Sequence, residues 1–104
     1  MTGHELHDIK EVEVIGPHRL RLRFEDGVIR EVDLSEITEG QMYGPLRDPE
    51  FFAQVRLNTE IETIEWPNGA DFDPETLYNW DRYLPYWRKD AEKWRQKEQE
   101  LVAA

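Results

Sequence analysis

An alternating run of arginine and apolar residues, Arg19-Leu-Arg-Leu-Arg-Phe24, constrains the fold more than any other stretch. A period of two places the arginines on one face of a β-strand and the apolar side chains on the other. The next residues, Glu25-Asp26-Gly27, have the composition of a hairpin loop. A three-residue loop with a left-handed glycine keeps Val28, Val32 and Leu34 on the apolar face, whereas a two-residue turn would move them to the arginine face. The sequence therefore predicts the three-residue loop.

A further strand precedes this hairpin, because Val12 and Val14 alternate with glutamates. Acidic residues on neighbouring strands would face the arginines across the same sheet. We expect Arg19, Arg21 and Arg23 to form cross-strand ion pairs rather than an anion site. Their predicted partners are Glu11, Glu13, Glu31 and Asp33. Arg30 is the one misfit on the apolar face, a position that suits the edge of a sheet.

Two triplets, Asp48-Pro49-Glu50 and Asp73-Pro74-Glu75, have the composition of helix starts, with a capping acceptor and a proline in the first turn. The first predicts a short helix, and the second a helix from Pro74 to about Asn79. Between the hairpin and the first triplet, residues 35–48 contain two glycines and a proline, and they predict a loop with at most one helical turn. Residues 57–66 predict either one bent strand or a second small hairpin, with the bend near Glu62.

A mainly apolar stripe follows in steps of three and four residues, and Glu98 interrupts it. Its positions are Leu77, Trp80, Leu84, Trp87, Ala91, Trp94, Glu98 and Leu101. Pro85 is predicted to interrupt it and a longer helix to follow. Two interpretations stay open. Either the helix folds back and the tryptophans cover the open face of the sheet, or Trp87, Trp94 and Leu101 bind a partner or another copy of the chain.

Composition excludes several classes of function. The chain of 104 residues has no cysteine, so disulfides, thiolate metal sites and cysteine nucleophiles are excluded. No apolar run is long enough to span a membrane, and the first residues lack a secretory pattern, so we expect a cytoplasmic protein with no membrane partner. The net charge of −10 disfavours direct nucleic-acid binding, which depends on basic residues. Solubility alone explains the charge, and a basic protein partner is the alternative that also fits it.

Several motifs occur in an order that resembles the bacterial domain of unknown function 2442. The quoted motifs are Leu20-x-Leu22-x-Phe24-x-Asp26-Gly27, Val32-Asp33-Leu34, Leu46-x-Asp48-Pro49-x-Phe51-Phe52, Ile64-Glu-Trp66-Pro67-Asn68-Gly69-Ala70-Asp71 and Pro74-x-x-Leu77-Tyr78. The resemblance covers about residues 9–80, and the block around Trp66 is its most specific part. It implies an α+β fold with antiparallel strands and a short helix, and it implies no established activity. Some members of this family resemble antitoxin-like components.

The block from Ile64 to Tyr78 also holds the candidate site residues. Turn and capping chemistry accounts for most of it and leaves Asn68 and Asp71 without a required structural role. The alternative is a shallow recognition surface made by Asn68, Asp71 and Tyr78, beside Glu65. Asp71 and Asp73 could act as an acid and a base, but no histidine lies near them and no catalytic motif occurs, so no catalytic residue is assigned.

Metal and cofactor sites are not predicted either. His4, Glu5, His7 and Asp8 supply donor atoms near the terminus, where we expect no more than adventitious metal binding. No glycine-rich phosphate loop of standard spacing occurs. No cofactor is therefore expected.

These patterns together predict one α+β domain. It has a mainly antiparallel sheet of about five strands, a short central helix and a C-terminal helix. Residues 9–80 form the family-like domain and residues 81–104 a helical extension that packs on the domain or on a partner. The predicted function is that of a non-enzymatic module acting through protein–protein contacts or self-association. The alternatives are an antitoxin-like component that binds a small basic protein, and a small ligand-binding or enzymatic domain using the Trp-Pro-Asn-Gly-Ala-Asp loop.

Overall fold

A computed structural model describes the backbone of residues 7–103 and the side chains of residues 7–97. Within that range the fold is α+β, as predicted, with five strands and four α-helices joined by short 3-10 turns. The elements in chain order are β1 (Ile9–Gly16), β2 (Arg19–Phe24), β3 (Ile29–Asp33), α1 (Gly40–Tyr43), α2 (Pro49–Phe52), β4 (Arg56–Asn58), β5 (Thr63–Glu65), α3 (Pro74–Tyr78) and α4 (Trp80–Ala103).

The first three strands form an antiparallel sheet in the order β1-β2-β3. The β2–β3 connection is the predicted three-residue loop, because the Phe24 amide donates to the Val28 carbonyl at 2.9 Å and Gly27 has a φ of 88°. In this register Leu20 pairs with Val32, and both side chains are buried. Arg30 lies on β3, an outer strand of this sheet, and pairs with Leu22 of β2. The one residue that did not fit the apolar face is therefore at the edge of the sheet, as predicted.

The opposite face of this sheet carries the predicted ion pairs. Arg21 contacts Glu13 at 3.1 Å and Glu31 at 2.9 Å, and Arg23 contacts Glu11 at 2.9 Å. Arg19 approaches Glu31 at 3.6 Å. The prediction was wrong for Asp33, which forms no ion pair within residues 7–97, because its carboxylate accepts from the Ser35 amide. The arginine face is thus neutralised by neighbouring strands and is not an open anion site.

The remaining two strands form a separate small sheet, so the five strands do not make one continuous sheet. β4 and β5 form an antiparallel hairpin, which decides between the bent strand and the second hairpin. The predicted bend falls at Glu62, whose φ of 56° is left-handed. The hairpin lies against β1, since the Ile9 amide donates to the Glu62 carbonyl at 3.0 Å.

Both predicted helix starts are confirmed. The Asp48 carboxylate accepts a hydrogen bond from the Glu50 amide, and the Asp73 carboxylate accepts one from the Glu75 amide. The prediction of at most one helical turn in residues 35–48 was wrong. That segment contains a 3-10 turn at Ser35–Ile37, then α1, then a second 3-10 turn at Gly44–Arg47. Burial of apolar side chains there outweighs the loop-forming tendency of the glycines and the proline.

One hydrophobic core joins the two sheets and the helices. It includes Trp66, Phe72, Leu77 and Trp80 from the second half of the chain, together with the apolar face of the first sheet. Its buried members are Ile9, Leu20, Leu22, Phe24, Val32, Leu34, Ile37, Leu46, Phe52, Ile64, Trp66, Ala70, Phe72, Leu77 and Trp80. The family-like segment therefore supplies nearly all of the core, and α4 adds its first residues to it.

The prediction that Pro85 interrupts the C-terminal helix was wrong. α4 runs without a break from Trp80 and contains Pro85 in its interior. Side chains on both sides of the proline pack against the core, among them Trp80, Leu84 and Trp87. This packing holds both parts of the helix in line despite the backbone hydrogen bond that proline cannot make. None of the helices within residues 7–103 has the length and apolar character needed to cross a bilayer.

α4 packs on its own chain, but not on the face of the sheet that the sequence suggested. Trp87 and Trp94 contact Tyr43, with ring centroids 5.4 and 6.0 Å apart. Arg88 pairs with Glu36 at 2.7 Å and Arg95 with Glu39 at 3.2 Å. The helix therefore covers the segment around α1, because short helical turns there present an aromatic side chain and two acids. Leu101, the third predicted interface residue, lies outside the described side chains.

Candidate functional site

The predicted recognition loop is a tight turn closed by its own backbone. The Gly69 amide donates to the Trp66 carbonyl at 2.9 Å, and Pro67 and Asn68 occupy the two corners. Gly69 has a φ of 88°, a conformation that glycine adopts without strain. The Trp66 amide donates to the Ala70 carbonyl at 2.9 Å, and Glu65 pairs with Asp71, so the turn folds the chain back along the end of β5.

Asn68 has a structural role that sequence reasoning did not find. Its side-chain oxygen accepts a hydrogen bond from the Ala70 amide at 3.1 Å, and its side-chain nitrogen donates to the Met42 carbonyl at 2.9 Å. The second bond connects the turn to α1, which is 26 residues earlier in the chain. No local sequence signal could have identified that partner. Asn68 holds two elements together and does not present its amide freely to a ligand.

Asp71 remains available. Its side chain is exposed, and its carboxylate has no hydrogen-bond partner among residues 7–97. The side chain that accepts from an amide of the turn is that of Asn68. The Asp71 backbone carbonyl accepts a hydrogen bond from the Tyr43 hydroxyl at 3.0 Å. Burial of Tyr43, together with the nearby Asp71 charge, raises the pKa of the Tyr43 hydroxyl.

Tyr78 lies in a different environment from Asn68 and Asp71. Its hydroxyl donates to the Asp26 carboxylate at 2.7 Å, at the tip of the β2–β3 hairpin. That hydrogen bond raises the pKa of Tyr78 and lowers the pKa of Asp26. The Arg30 guanidinium lies 4.9 Å from the ring centroid, and the His7 ring stacks on it at 3.6 Å. Tyr78 thus joins the hairpin to α3, and the three predicted residues contact different elements.

The residue before this turn anchors it in the core. Trp66 fills the core and its indole nitrogen donates to the Phe52 carbonyl at 2.9 Å. Residues 9–83 match the family model described as "Protein of unknown function (DUF2442)". The chain belongs to the DUF2442 family. No curated protein and no solved structure shows significant similarity to it.

The described part of this DUF2442 protein contains no cluster of side chains that could bind a metal ion. Within that part, no group of three histidine, aspartate or glutamate side chains converges on one point. His7 pairs with Glu75 and Asp8 lies beside Glu62, so these two donors point to different partners. The other two residues of the N-terminal donor group, His4 and Glu5, fall outside the described residues.

A cleft that the sequence did not predict lies between β3 and the junction of α3 with α4. Its volume is about 410 Å³, and it is lined by Arg30, Glu31, Val32, Tyr78, Asn79, Trp80, Asp81 and Arg82. Pockets of this size fall within the range of roughly 300–1,000 Å³ that holds ligands or inserted side chains. Sequence reasoning did not identify this cleft. Its only local signal was Arg30, which stood on the apolar face of its strand.

Arg30 fixes one wall of the cleft. Its Nε donates to the Tyr78 carbonyl at 2.9 Å, at the end of α3, while its guanidinium covers the Tyr78 ring. Trp80 also lines the cleft, and its buried Nε1 has no hydrogen-bond partner among the described residues. The cleft therefore lies between β3 and the α3–α4 junction, and the Arg30–Tyr78 contact ties these two parts together.

The backbone of β3 is open next to this cleft. At its two ends, the Phe24 amide donates to the Val28 carbonyl and the Leu34 amide donates to the His18 carbonyl. Hydrogen-bonded pairs alternate in an antiparallel ladder, so the even-numbered residues of β3 bond to β2. The N–H and C=O groups of Ile29, Glu31 and Asp33 then point away from β2, and β3 has no second partner strand within residues 7–103.

Asn68 and Asp71 make a matched test of the predicted recognition loop. Replacing Asn68 with alanine removes two hydrogen bonds, and we expect a loss of about 1–2 kcal/mol in the free energy of unfolding. Replacing Asp71 with asparagine should change it by less than about 0.5 kcal/mol, as for other exposed sites. Urea denaturation followed by circular dichroism measures both. Equal losses for the two variants would contradict the structural role assigned to Asn68.

Proposed function

We propose that this DUF2442 protein is a non-enzymatic binding module that acts through protein–protein contacts at the free edge of β3. The observation that carries the proposal is the row of three outward-facing backbone positions, Ile29, Glu31 and Asp33, beside the 410 Å³ cleft. Exposed edges of this kind accept an added strand from another protein in many recognition domains. Ile29 supports an open edge, since its side chain is 55% exposed.

The other predicted interface receives less support. Trp87 and Trp94 contact Tyr43 of the same chain, so neither ring is free for a partner without unpacking α4. The loop around Asn68 is likewise engaged in internal hydrogen bonds. An antitoxin-like component that binds a small basic protein would be one form of the proposed function, because the protein carries a net charge of −10.

A photo-crosslinking amino acid at position 31 tests this function in the cells that encode the protein. Residue 31 lies in the middle of the edge strand β3 and its side chain is exposed. A bound partner should therefore cross-link there at least five-fold more than at a control position. Lys89 is the control, because it is exposed on α4 and far from β3 in the sequence. The cross-linked species are measured by immunoblot and mass spectrometry. Absence of a cross-link at position 31, or equal yields at both positions, would contradict the proposal.

A further inference from the structure

The outer face of the first sheet carries charges that alternate from strand to strand. β1 contributes Glu11 and Glu13, β2 contributes three arginines, and β3 contributes Glu31 and Asp33. In the central row, Arg21 bridges Glu13 and Glu31 at 3.1 and 2.9 Å. Each strand is thus stabilised by neighbours of the opposite charge. A strand added beside β3 would continue the pattern if it carried basic side chains.

The acids of β3 have capacity for further partners. The Glu31 side chain is 44% exposed; one of its oxygens accepts from Arg21 and the other lies 3.6 Å from Arg19, which leaves the exposed side of the carboxylate open to a further cation. Asp33 accepts a hydrogen bond from the Ser35 amide, and no lysine or arginine among residues 7–97 lies within 4.0 Å of its carboxylate. Both carboxylates would lie directly beside the outer-face side chains of an added strand.

A second copy of the chain fits this edge poorly. Antiparallel pairing of two β3 strands about Glu31 would place Glu31 opposite its own copy and Ile29 opposite Asp33. Like charges directly opposite each other destabilise a strand pair. Charged edge strands suppress self-pairing for this reason, and the same charges favour a strand of opposite sign. The occupant that the charges select is therefore a different, basic chain.

The other edge of the sheet is less suited to an added strand. β1 has register shifts near both ends, between Ile9 and Glu11 and between Val14 and Gly16. Irregularities of this kind bend an edge and block continuous pairing. The Ile9 amide is also occupied by the Glu62 carbonyl. β3 pairs with β2 without interruption over all five of its residues, so its free edge is regular.

An added strand would also reach the cleft. Its side chains alternate between the two faces of the sheet, so those that do not lie beside Glu31 project on the side of Arg30 and Val32. The cleft begins at these two residues and extends to the α3–α4 junction. A volume of about 410 Å³ accommodates one large side chain.

From these observations we propose that the β3 edge binds an extended, basic segment of a partner protein as a fourth strand. Basic side chains at alternate positions of that segment pair with Glu31 and Asp33, and one large side chain from its other face enters the cleft. The inference rests on the protein-binding function proposed above and adds the conformation and the charge of the partner.

Synthetic peptides test the inference directly on the full chain. The probe is a nine-residue peptide that alternates lysine with valine and has one central tryptophan on the valine face. The matched control has glutamate in place of every lysine. We expect the lysine peptide to bind at least ten-fold more tightly by calorimetry. Amide hydrogen exchange measured by NMR should slow at Ile29, Glu31 and Asp33, whose N–H groups would become hydrogen-bonded.

Two variants make the result specific to the edge. Ile29→Pro removes an outward-facing N–H and no hydrogen bond to β2, and it leaves both acids of β3 in place, so it should abolish binding while circular dichroism stays unchanged. The double variant Glu31→Lys/Asp33→Lys should reverse the preference and bind the glutamate peptide. Equal binding of both peptides, unchanged preference in the double variant, or slowed exchange on β1 instead of β3 would overturn the inference. If neither peptide binds although position 31 cross-links to a partner in cells, the basic-segment inference fails and the binding function stands.

Discussion

Replacing Trp66 with alanine is expected to remove most of the stability of the fold. The side chain is 1% exposed, packs against the rings of Phe52 and Phe72, and donates to the Phe52 carbonyl. Truncating a buried tryptophan costs about 3–5 kcal/mol, and the carbonyl left without its partner adds about 1 kcal/mol. A domain of this size has only about 5–15 kcal/mol in total. Urea denaturation followed by circular dichroism should show a free energy of unfolding that is about 4–6 kcal/mol lower than that of the unchanged chain, or a chain that is already unfolded.

Two matched variants separate the contributions of Trp66. Trp66→Phe keeps most of the apolar volume and removes the N–H, and it should cost about 1–3 kcal/mol. Tyr86→Ala truncates an aromatic side chain that is 67% exposed, and it should change stability by less than about 0.5 kcal/mol. A loss below about 2 kcal/mol in Trp66→Ala would mean that this side chain does not organise the core.

Replacing Pro85 with alanine should stabilise the protein. Pro85 lies inside α4, where proline costs about 3 kcal/mol relative to alanine because it lacks an N–H and crowds the preceding turn. Alanine makes the unfolded chain more flexible, which returns about 0.4–1 kcal/mol of that gain. We therefore expect a net increase of about 2 kcal/mol and a rise in Tm of about 10 °C by calorimetry.

Pro74 supplies the control for this prediction. It occupies the first turn of α3, where no backbone N–H is required, and Asp73 caps the helix beside it. Pro74→Ala should leave stability unchanged or lower it by up to about 1 kcal/mol. If Pro85→Ala were neutral or destabilising, the first turn of α4 would be separate from the rest of the helix in solution. That result would support the sequence-based prediction that Pro85 interrupts the C-terminal helix.

The features that sequence reasoning predicted correctly all depend on nearby residues. Gly27 indicated a three-residue hairpin loop, because only that loop keeps the apolar residues of the two flanking strands on one face. Asp48 and Asp73 marked helix starts because a capping carboxylate bonds an amide only two residues later. The arginines of β2 found their partners because the acids lie on directly neighbouring strands. Short-range chemistry of this kind can be read from one chain.

The features that were missed depend on distant parts of the chain. The role of Asn68 comes from the carbonyl of Met42, and the continuity of α4 through Pro85 comes from packing on residues far from the proline. The cleft beside β3 is lined by Arg30 and by the end of α3, which Arg30 bonds across 48 residues of sequence. A single sequence has no local signal for such contacts. The candidate interface therefore emerged only from the structure.

The attachment of α4 implies that its two ends open independently. The first turns belong to the core through Trp80 and Trp87, so they should exchange their amide hydrogens only on global unfolding. From Arg88 onward the helix is held by the buried Ala91, by Trp94 and by ion pairs to Glu36 and Glu39. Salt weakens the half-exposed Arg88–Glu36 pair more than the Arg95–Glu39 pair, whose glutamate is 15% exposed. A rise in ionic strength should then speed amide exchange in the distal turns, while the first turns stay protected.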